Sequence, residues 1–267
     1  MSAEQATCPD PLARAPRAGG RASLLLAPPS LQGALSTVVC RDTRGLTLSP
    51  AQRLNHFPAT PLVCLSWFQG MDIGLIDPHA SGARWQPLNT ALTLSGSQSR
   101  PLVSWSPGVG RAGMACFPAD VAHALFGVDL AALLDRFAPA QAVLGAQWQG
   151  LLDGLLASAD DAATLAVLEQ HLAPRWQALC LRADPAPSLR QIGRHWVQRL
   201  AWLAFQWRDS HSTRQIERRI KHYSGRSLRE WRALVQTEGA LFAALERHAA
   251  GLPLDLAGLA QEQGFAD

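Results

Sequence analysis

Hydrophobic and polar residues follow two different periodicities along this chain. From residue 24 to residue 117, short apolar runs alternate with Gly and Pro, and five of these runs have the length and composition of strands. From Pro118 onward, apolar residues recur at helical spacing, as in LAALLDRF and TLAVLEQHL. The predicted strands are residues 34–41, 61–69, 89–96, 100–108 and 111–118, and the predicted helices are residues 118–137, 140–157 and 161–181.

The change of period near residue 118 predicts an α+β fold. Its N-terminal part is expected to be a β-sandwich or a partly closed barrel against which helices pack. The start of the chain is rich in Ala, Arg, Pro and Gly, which predicts a disordered leader, and ADPAPS at 183–188 predicts a linker. We expect a leader at 1–22, an N-terminal domain at 23–185 (β-rich at 24–118, helical at 119–182) and an all-α domain at 186–267.

The segment STRQIERRIKHYSG, residues 212–225, is the most distinctive helix signal in the chain. Ser212 and Gln215 have the spacing of a capping box, and Gly225 is the expected C-terminal stop. A helix over this segment has one apolar stripe, which consists of Ile216, Ile220 and Tyr223.

The opposite face of this predicted helix is charged. A short, capped, basic helix fits the major groove of DNA. A solvated amphipathic helix rich in arginine has the same pattern, so the segment alone leaves both interpretations open. The charged positions are Arg214, Glu217, Arg218 and Lys221.

Positive charge is concentrated in the C-terminal part of the chain. The whole sequence of 267 residues has a net charge of only +3. Residues 188–232, however, contain eleven Arg and Lys side chains against three acidic ones, Asp209, Glu217 and Glu230, a local excess of eight. A basic segment of this kind is the electrostatic pattern expected for binding a polyanion.

The basic helix and the two segments that follow it resemble the DNA-binding domain of the AraC/XylS transcription regulators. In that family a recognition helix S-x-x-Q-[LI]-x-R-x-[FI]-K ends in a G-x-S turn, and a long linker helix leads to a second helix-turn-helix that begins L-A-x-x-x-G-F-x-D. The matching residues here are Ser212, Gln215, Ile216, Arg218, Ile220, Lys221, Gly225, Ser227, Leu259, Ala260, Gly264, Phe265 and Asp267.

The resemblance implies a division of roles among the charged residues. Arg214, Glu217 and Arg218 occupy positions where the family's recognition helix meets base edges. Arginine can donate twice to guanine, and glutamate can accept from the amino group of cytosine. Phosphate contacts, which fix register without reading sequence, are expected from Lys221, Arg226 and Arg229, although solvation explains the last two equally well.

Residues 55–70 and 117–140 resemble, more weakly, the cupin-like sensor domains of the same family, which bind an effector or dimerise. The expected function is therefore a sequence-specific regulator that binds double-stranded DNA, responds to a small-molecule effector and is compatible with a homodimer. The alternative is a small-molecule-binding β-barrel protein whose C-terminal segment does not bind DNA.

Two departures from the family pattern affect this expectation. Residues 194–212 lack the usual glycine break of the first helix-turn-helix and predict one longer helix. Family members also continue beyond the position of Asp267 with a second recognition helix, S-H-F-x-R-x-F. We therefore expect residues 252–267 to be loosely held and DNA affinity to depend on the first recognition helix.

Signals for other kinds of chemistry are weak. The five cysteines lie far apart in sequence, which favours a reduced, cytoplasmic environment. The eight histidines form no metal-binding motif, and the chain has no P-loop or nucleophile elbow, so we expect no enzyme activity, no metal, no cofactor and no membrane span. Trp67, Trp85 and Trp105 could belong either to the core or to an effector pocket.

Overall fold

The computed structural model describes residues 8–13, 21–79, 82–180, 197, 200, 201, 203–205, 207, 208 and 210–265. It has mixed α and β structure with two antiparallel sheets, one with strand order β1-β2-β9-β4-β7-β10 and one with order β3-β8-β5-β6. The strands are β1 (Arg21–Leu25), β2 (Thr37–Asp42), β3 (Leu54–Phe57), β4 (Val63–Gln69), β5 (Gly74–His79), β6 (Gly82–Pro87), β7 (Leu92–Ser95), β8 (Leu102–Trp105), β9 (Arg111–Phe117) and β10 (Phe137–Pro139).

The six-stranded sheet buries both of its faces. In β4, Leu65 and Trp67 are fully buried in the main core, whereas Cys64 and Ser66 point to the opposite side and line a cavity. Gly113 lies opposite Trp67 in register, and a Cβ at that position would come within 2.1 Å of Trp67 Cζ2. Only glycine therefore fits beneath this indole ring.

Helices cover the core side of this sheet and continue into the C-terminal segment. Described residues between 197 and 205 are also helical, but too few of them are described to give that helix bounds. The helices with defined bounds are α1 (Ala119–Phe126), α2 (Ala140–Leu144), α3 (Gln149–Ala157), α4 (Asp161–Cys180), α5 (Thr213–Ser224), α6 (Leu228–Ala249) and α7 (Leu256–Glu262).

Two of the predicted helices are shorter than expected. The helix predicted over 118–137 ends at Phe126, because Gly127 adopts a left-handed conformation (φ 69°), and residues 137–139 instead pair with β7. The helix predicted over 140–157 is interrupted at Gly145 (φ 75°, ψ 173°), which separates α2 from a short 3-10 turn and α3. The predicted helix at 161–181 corresponds to α4.

The five predicted strands are confirmed as β2, β4, β7, β8 and β9, each shorter than its predicted range. The prediction missed the other five strands. The predicted leader is partly wrong, since Arg21 and Ala22 belong to β1 and the Cys8 thiol donates to the Ala83 carbonyl oxygen at 3.3 Å. Residues 1–7 and 14–20 and the linker predicted at 183–188 lie outside the described residues.

One continuous hydrophobic core joins the N-terminal and C-terminal parts of the chain. The C-terminal side chains Leu200, Ile216, Ile220, Trp231 and Leu234 belong to the same buried cluster as the helices and the six-stranded sheet. The domains predicted at 23–185 and 186–267 therefore share buried apolar surface. A smaller cluster, built on Leu54, Ile76 and Trp105, lies in the four-stranded sheet.

A buried arginine ties β9 to the start of α4. Arg111 is 1% exposed, and its guanidinium donates to the Ser158 carbonyl oxygen at 3.2 Å and to Thr164 Oγ1 at 2.9 Å. Its ionic partner is Asp161, at 3.0 Å. Burial acts to raise the pKa of Asp161, but hydrogen bonds from Ser23 and Arg111 and the arginine charge outweigh it, so the pKa is lowered.

We expect Asp161→Asn to lower the free energy of unfolding by about 1–3 kcal/mol, because it leaves the buried Arg111 guanidinium without an anionic partner. Urea denaturation at neutral pH measures this change. The control is Asp153→Asn on the neighbouring helix α3, where the aspartate is exposed and the expected change is within ~0.5 kcal/mol. Equal effects of the two substitutions would contradict the assigned role of Asp161.

Candidate nucleic-acid interface and the adjoining cavity

Helix α5 begins and ends where the sequence predicts. The Ser212 backbone N–H donates to Gln215 Oε1 at 2.8 Å, and the Gln215 N–H donates to Ser212 Oγ at 3.4 Å, which completes the predicted capping box. Gly225 is left-handed (φ 83°) and its N–H closes the last turn on the Lys221 carbonyl oxygen. The helix therefore has defined ends, and its twelve residues extend about 18 Å.

The inner face of α5 holds the helix on the protein. Ile216 and Ile220 are buried, and the hydroxyl of Ser224 accepts a hydrogen bond of 2.9 Å from Trp231 Nε1 on α6. Tyr223 was predicted on the same apolar stripe but is 41% exposed, and its ring meets the edge of His123 at 5.7 Å between centroids.

The outer face of α5 presents charged side chains to solvent. Five of the six predicted DNA-contacting residues are exposed, and none of the five has an ion pair or hydrogen bond with another described residue. Because the opposite face is buried, the orientation of this charged surface is fixed by the core. The exposed predicted residues are Arg214, Glu217, Arg218 and Lys221 on α5 and Arg229 on α6.

Arg226 departs from the predicted phosphate-contacting role. Arg226 is only 5% exposed. Its guanidinium donates to the Ser97 hydroxyl at 3.0 Å, the Ser97 carbonyl oxygen at 2.9 Å and the Asp135 carboxylate at 3.2 Å. In this arrangement the side chain cannot reach a phosphate. It attaches the turn between α5 and α6 to the N-terminal part of the chain.

The same turn approaches the N-terminal part closely through Gly225. A Cβ on this residue would come within 3.0 Å of Ala131 Cα and of the Leu134 side chain. Glycine is therefore favoured at this position for two reasons: its left-handed backbone and the short distance to Ala131 and Leu134.

Arg219, which was not among the predicted contacts, also lies on the exposed surface of α5. Its guanidinium is 4.9 Å from the centre of the Trp207 ring, and it hydrogen-bonds the imidazole of His211. These contacts hold the Arg219 side chain against the protein. Its charge adds to the basic surface, but its guanidinium does not project outward from α5.

Helix α6 begins with a capping box and buries only some of its apolar side chains. Glu230 accepts hydrogen bonds from the hydroxyl and backbone N–H of Ser227, and these bonds lower the pKa of Glu230. Trp231 and Leu234 are buried. Phe242 and Leu245, in contrast, are 55% and 52% exposed.

Helix α7 is attached to α6 by polar contacts and one buried leucine. Asp255 caps it by accepting from the Gly258 N–H at 3.0 Å, and Leu259 is 2% exposed. Arg247 on α6 forms an ion pair with Glu262 at 2.6 Å. Leu256, the first residue of this helix, is 72% exposed.

A cavity of about 450 Å³ lies between the two sheets and reaches α6. Trp67, Trp85 and Trp105 do not line it. Trp67 is in the main core, and the other two pack edge to face at 5.8 Å in the smaller cluster. The lining includes Val39, Cys64, Ser66, Met114 and Cys116 from the six-stranded sheet, Asn55, Phe57, Leu75 and Ser104 from the four-stranded sheet, and Glu238, Leu241 and Phe242 from α6.

Glu238 is the feature of this cavity that sequence reasoning missed. Burial raises the pKa of its carboxyl to about 7, and no hydrogen bond to this side chain occurs among the described residues. It is the only acidic residue between Glu230 and Glu246, and the seven residues that follow it, 239–245, are all glycine or apolar. That isolation in the sequence was the available signal.

Other kinds of site are not found in the described part of the chain. No group of three or more His, Cys, Asp or Glu side chains there could bind a metal ion. None of the helices described combines the length and apolar character needed to span a bilayer. A scan of family models and searches of curated proteins and of solved structures return no match to this chain.

We expect Arg226→Ala to lower the free energy of unfolding by about 1–3 kcal/mol, because it removes the guanidinium donors to the buried Ser97 hydroxyl and carbonyl oxygen and the cationic partner of Asp135. The Asp135 N–H still donates to the Ser97 carbonyl oxygen at 3.1 Å. The matched control is Arg229→Ala, three residues away and exposed, for which a change within ~0.5 kcal/mol is expected. Chemical denaturation of the full chain compares the two. A cost for Arg229→Ala as large as that for Arg226→Ala would refute the structural role of Arg226.

We expect the stability of the protein to fall as pH rises from about 4.5 to about 7 because of Glu238. The folded state holds this proton more tightly than the unfolded state, so ionisation of the carboxyl opposes folding. Glu238→Gln should therefore raise the free energy of unfolding at pH 8, by up to roughly 3 kcal/mol, and change it little at pH 4.5.

Urea titrations at pH 4.5, 6, 7 and 8 measure this difference. Glu169→Gln, on the exposed surface of α4, serves as the control and should leave the pH profile unchanged. A Glu238→Gln effect of the same size at every pH would show that Glu238 ionises normally.

Proposed function

We propose that this protein is a transcription regulator that binds double-stranded DNA in a sequence-specific manner. The observation that carries this proposal is α5, a twelve-residue helix with capped ends and a buried apolar face. On its exposed face, Arg214, Glu217, Arg218 and Lys221 have no ion pair or hydrogen bond with another described residue. A helix of this kind can enter the major groove while its inner face remains on the protein. The sequence motifs shared with AraC/XylS regulators support the same conclusion.

The exposed residues fall into two proposed groups. Arg214, Glu217 and Arg218 read base edges, where arginine donates to guanine and glutamate accepts from cytosine. Lys221 and Arg229 contact phosphates and set the register of the helix on the duplex. Arg226 is excluded from the second group by its burial, which leaves fewer phosphate contacts than the sequence predicted.

The N-terminal part is proposed to be a cupin-like sensor that binds a small-molecule effector. Its support is the cavity between the two antiparallel sheets, whose volume lies in the range of about 300–1,000 Å³ typical of ligand sites. A homodimer is also proposed through the edge of the six-stranded sheet. There β1 has an unpaired side and both Leu24 and the adjacent Leu26 are 72% exposed.

The same cavity supports the alternative function, a small-molecule-binding protein without DNA-binding activity. The two candidates differ in one measurable property. Selection from a random duplex library enriches a defined sequence if the protein is a regulator and enriches none if it is only a ligand-binding protein.

We expect Arg218→Ala and Lys221→Ala to weaken DNA binding in different ways. Arg218→Ala should cost about 1–3 kcal/mol on the selected site and relax preference at one base pair. Lys221→Ala should weaken binding to all sequences alike and reduce the slope of log K against log salt by roughly 0.9, since one phosphate contact is lost.

Fluorescence anisotropy with a library of single-base variants, at several salt concentrations, distinguishes these outcomes. Arg247→Ala is the control, because Arg247 pairs with Glu262 and lies outside both proposed groups. Identical profiles for the Arg218 and Lys221 variants would contradict the proposed division between base and phosphate contacts.

A further inference from the structure

Helix α6 belongs to two structural units at once. Near its N-terminal end, Trp231 packs beneath α5 and hydrogen-bonds Ser224. Two turns later, Glu238, Leu241 and Phe242 form part of the cavity wall. A molecule in the cavity would therefore touch the same rigid helix that supports the proposed recognition helix.

Glu238 is the one acidic side chain among the described residues that line this cavity. Its carboxylate is mostly buried, faces the cavity, and accepts no hydrogen bond from any described residue. A buried carboxylate without a partner is unfavourable, and a positively charged or hydrogen-bond-donating ligand would relieve that cost.

Arginine side chains also reach the cavity, where Arg41 is held by hydrogen bonds. Arg41 donates to the carbonyl oxygens of Gln52 and Leu54 and to the side chain of Asn55. Arg41 pairs with Ala112 in register, four residues along β9 from Cys116, which is about 13 Å along the strand. Cys116 lies close enough to Glu238 to be influenced by its charge, whereas the raised pKa of Glu238 is due to burial alone, with no arginine charge lowering it.

The remaining charged or titratable groups at the cavity leave Glu238 unneutralised. Arg53 donates to the Pro107 carbonyl oxygen and stacks on Trp105 at 5.5 Å, and His56 is exposed. The thiols of Cys64 and Cys116 lie 3.5 Å apart, and the pKa of Cys116 is raised by its hydrogen bond with Cys64 and by burial. The Cys116 thiol is therefore neutral and brings no charge to the carboxylate.

We propose that this cavity binds a small organic amine whose ammonium group pairs with Glu238 and whose apolar body lies between the two sheets. The bound amine bridges the six-stranded sheet and α6, so its occupancy stabilises the position of α6 and, through Trp231, that of α5. The regulatory part of this inference rests on the proposed DNA-binding function. The binding part does not.

Isothermal titration calorimetry of the full chain at pH 8 tests the ligand class with three matched series. The amines are hexylamine, 4-phenylbutylamine and tryptamine. The alcohols are hexanol, 4-phenylbutanol and tryptophol, and the acids are hexanoate, 4-phenylbutyrate and indole-3-propionate. At least one amine should bind tenfold more tightly than its alcohol, and its acid should bind more weakly still.

Variants assign the preference to Glu238. Glu238→Gln should bring the amine and its alcohol within about threefold of each other, whereas Glu169→Gln should keep the wild-type preference. Ser66→Leu, which fills part of the cavity from the opposite wall, should weaken the amine and the alcohol equally. For wild type the amine should also bind up to about tenfold more weakly at pH 6 than at pH 7, because Glu238 must lose its proton.

Several results would overturn the binding proposal. They are tighter binding of an acid than of its amine, an amine preference retained by Glu238→Gln, and failure of all three amines to bind at millimolar concentration.

DNA affinity is then measured with and without the amine. Amine binding with unchanged DNA affinity refutes the regulatory link alone, and amine binding by a protein that selects no DNA refutes the proposed function while the cavity assignment holds.

Discussion

The attachment of Arg226 to Ser97 and Asp135 determines how the C-terminal helices are placed on the rest of the molecule. The guanidinium is almost fully buried, and its bonds reach back more than ninety residues to the loops around β7 and β10. Charged groups held in this way have strong directional preferences, because each donor must find its acceptor once water is excluded. The turn after α5 is thereby fixed, and with it the direction in which the outer face of α5 points.

Arginine serves opposite purposes at different positions of this chain. Arg111 and Arg226 are buried and carry hydrogen bonds between elements that are distant in sequence. Arg214 and Arg218 are exposed on a helix whose other side is apolar. The planar, permanently charged guanidinium suits both tasks, since it can satisfy several buried acceptors or donate in a bidentate manner to a base or phosphate. Composition alone therefore does not separate a structural arginine from a nucleic-acid contact.

Features set by local sequence were predictable, and features set by distant contacts were not. The caps of α5 and the burial of Ile216 and Ile220 depend on residues within four positions of each other, so the pattern predicts them correctly, although Tyr223 on the same stripe is 41% exposed. The burial of Arg226 depends on Ser97 and Asp135, which no local pattern connects to it. The helix predicted over 118–137 ends early at the left-handed Gly127, and the strand at 137–139 depends on pairing with the distant β7. The cavity escaped prediction because its walls come from both sheets and a helix.

Glu238 places an ionisable carboxyl group in the middle of α6, beside the apolar side chains of Leu241 and Phe242. An ionised carboxylate in an apolar wall opposes folding, and a leucine or glutamine there would fit the same space without that cost. A cation that paired with the carboxylate would offset this unfavourable free energy and stabilise the folded protein. Stability and ligand affinity are then linked at one side chain. Helix α6 also supports α5 through Trp231. A cation that bound Glu238 would therefore stabilise the helix on which the exposed basic surface depends.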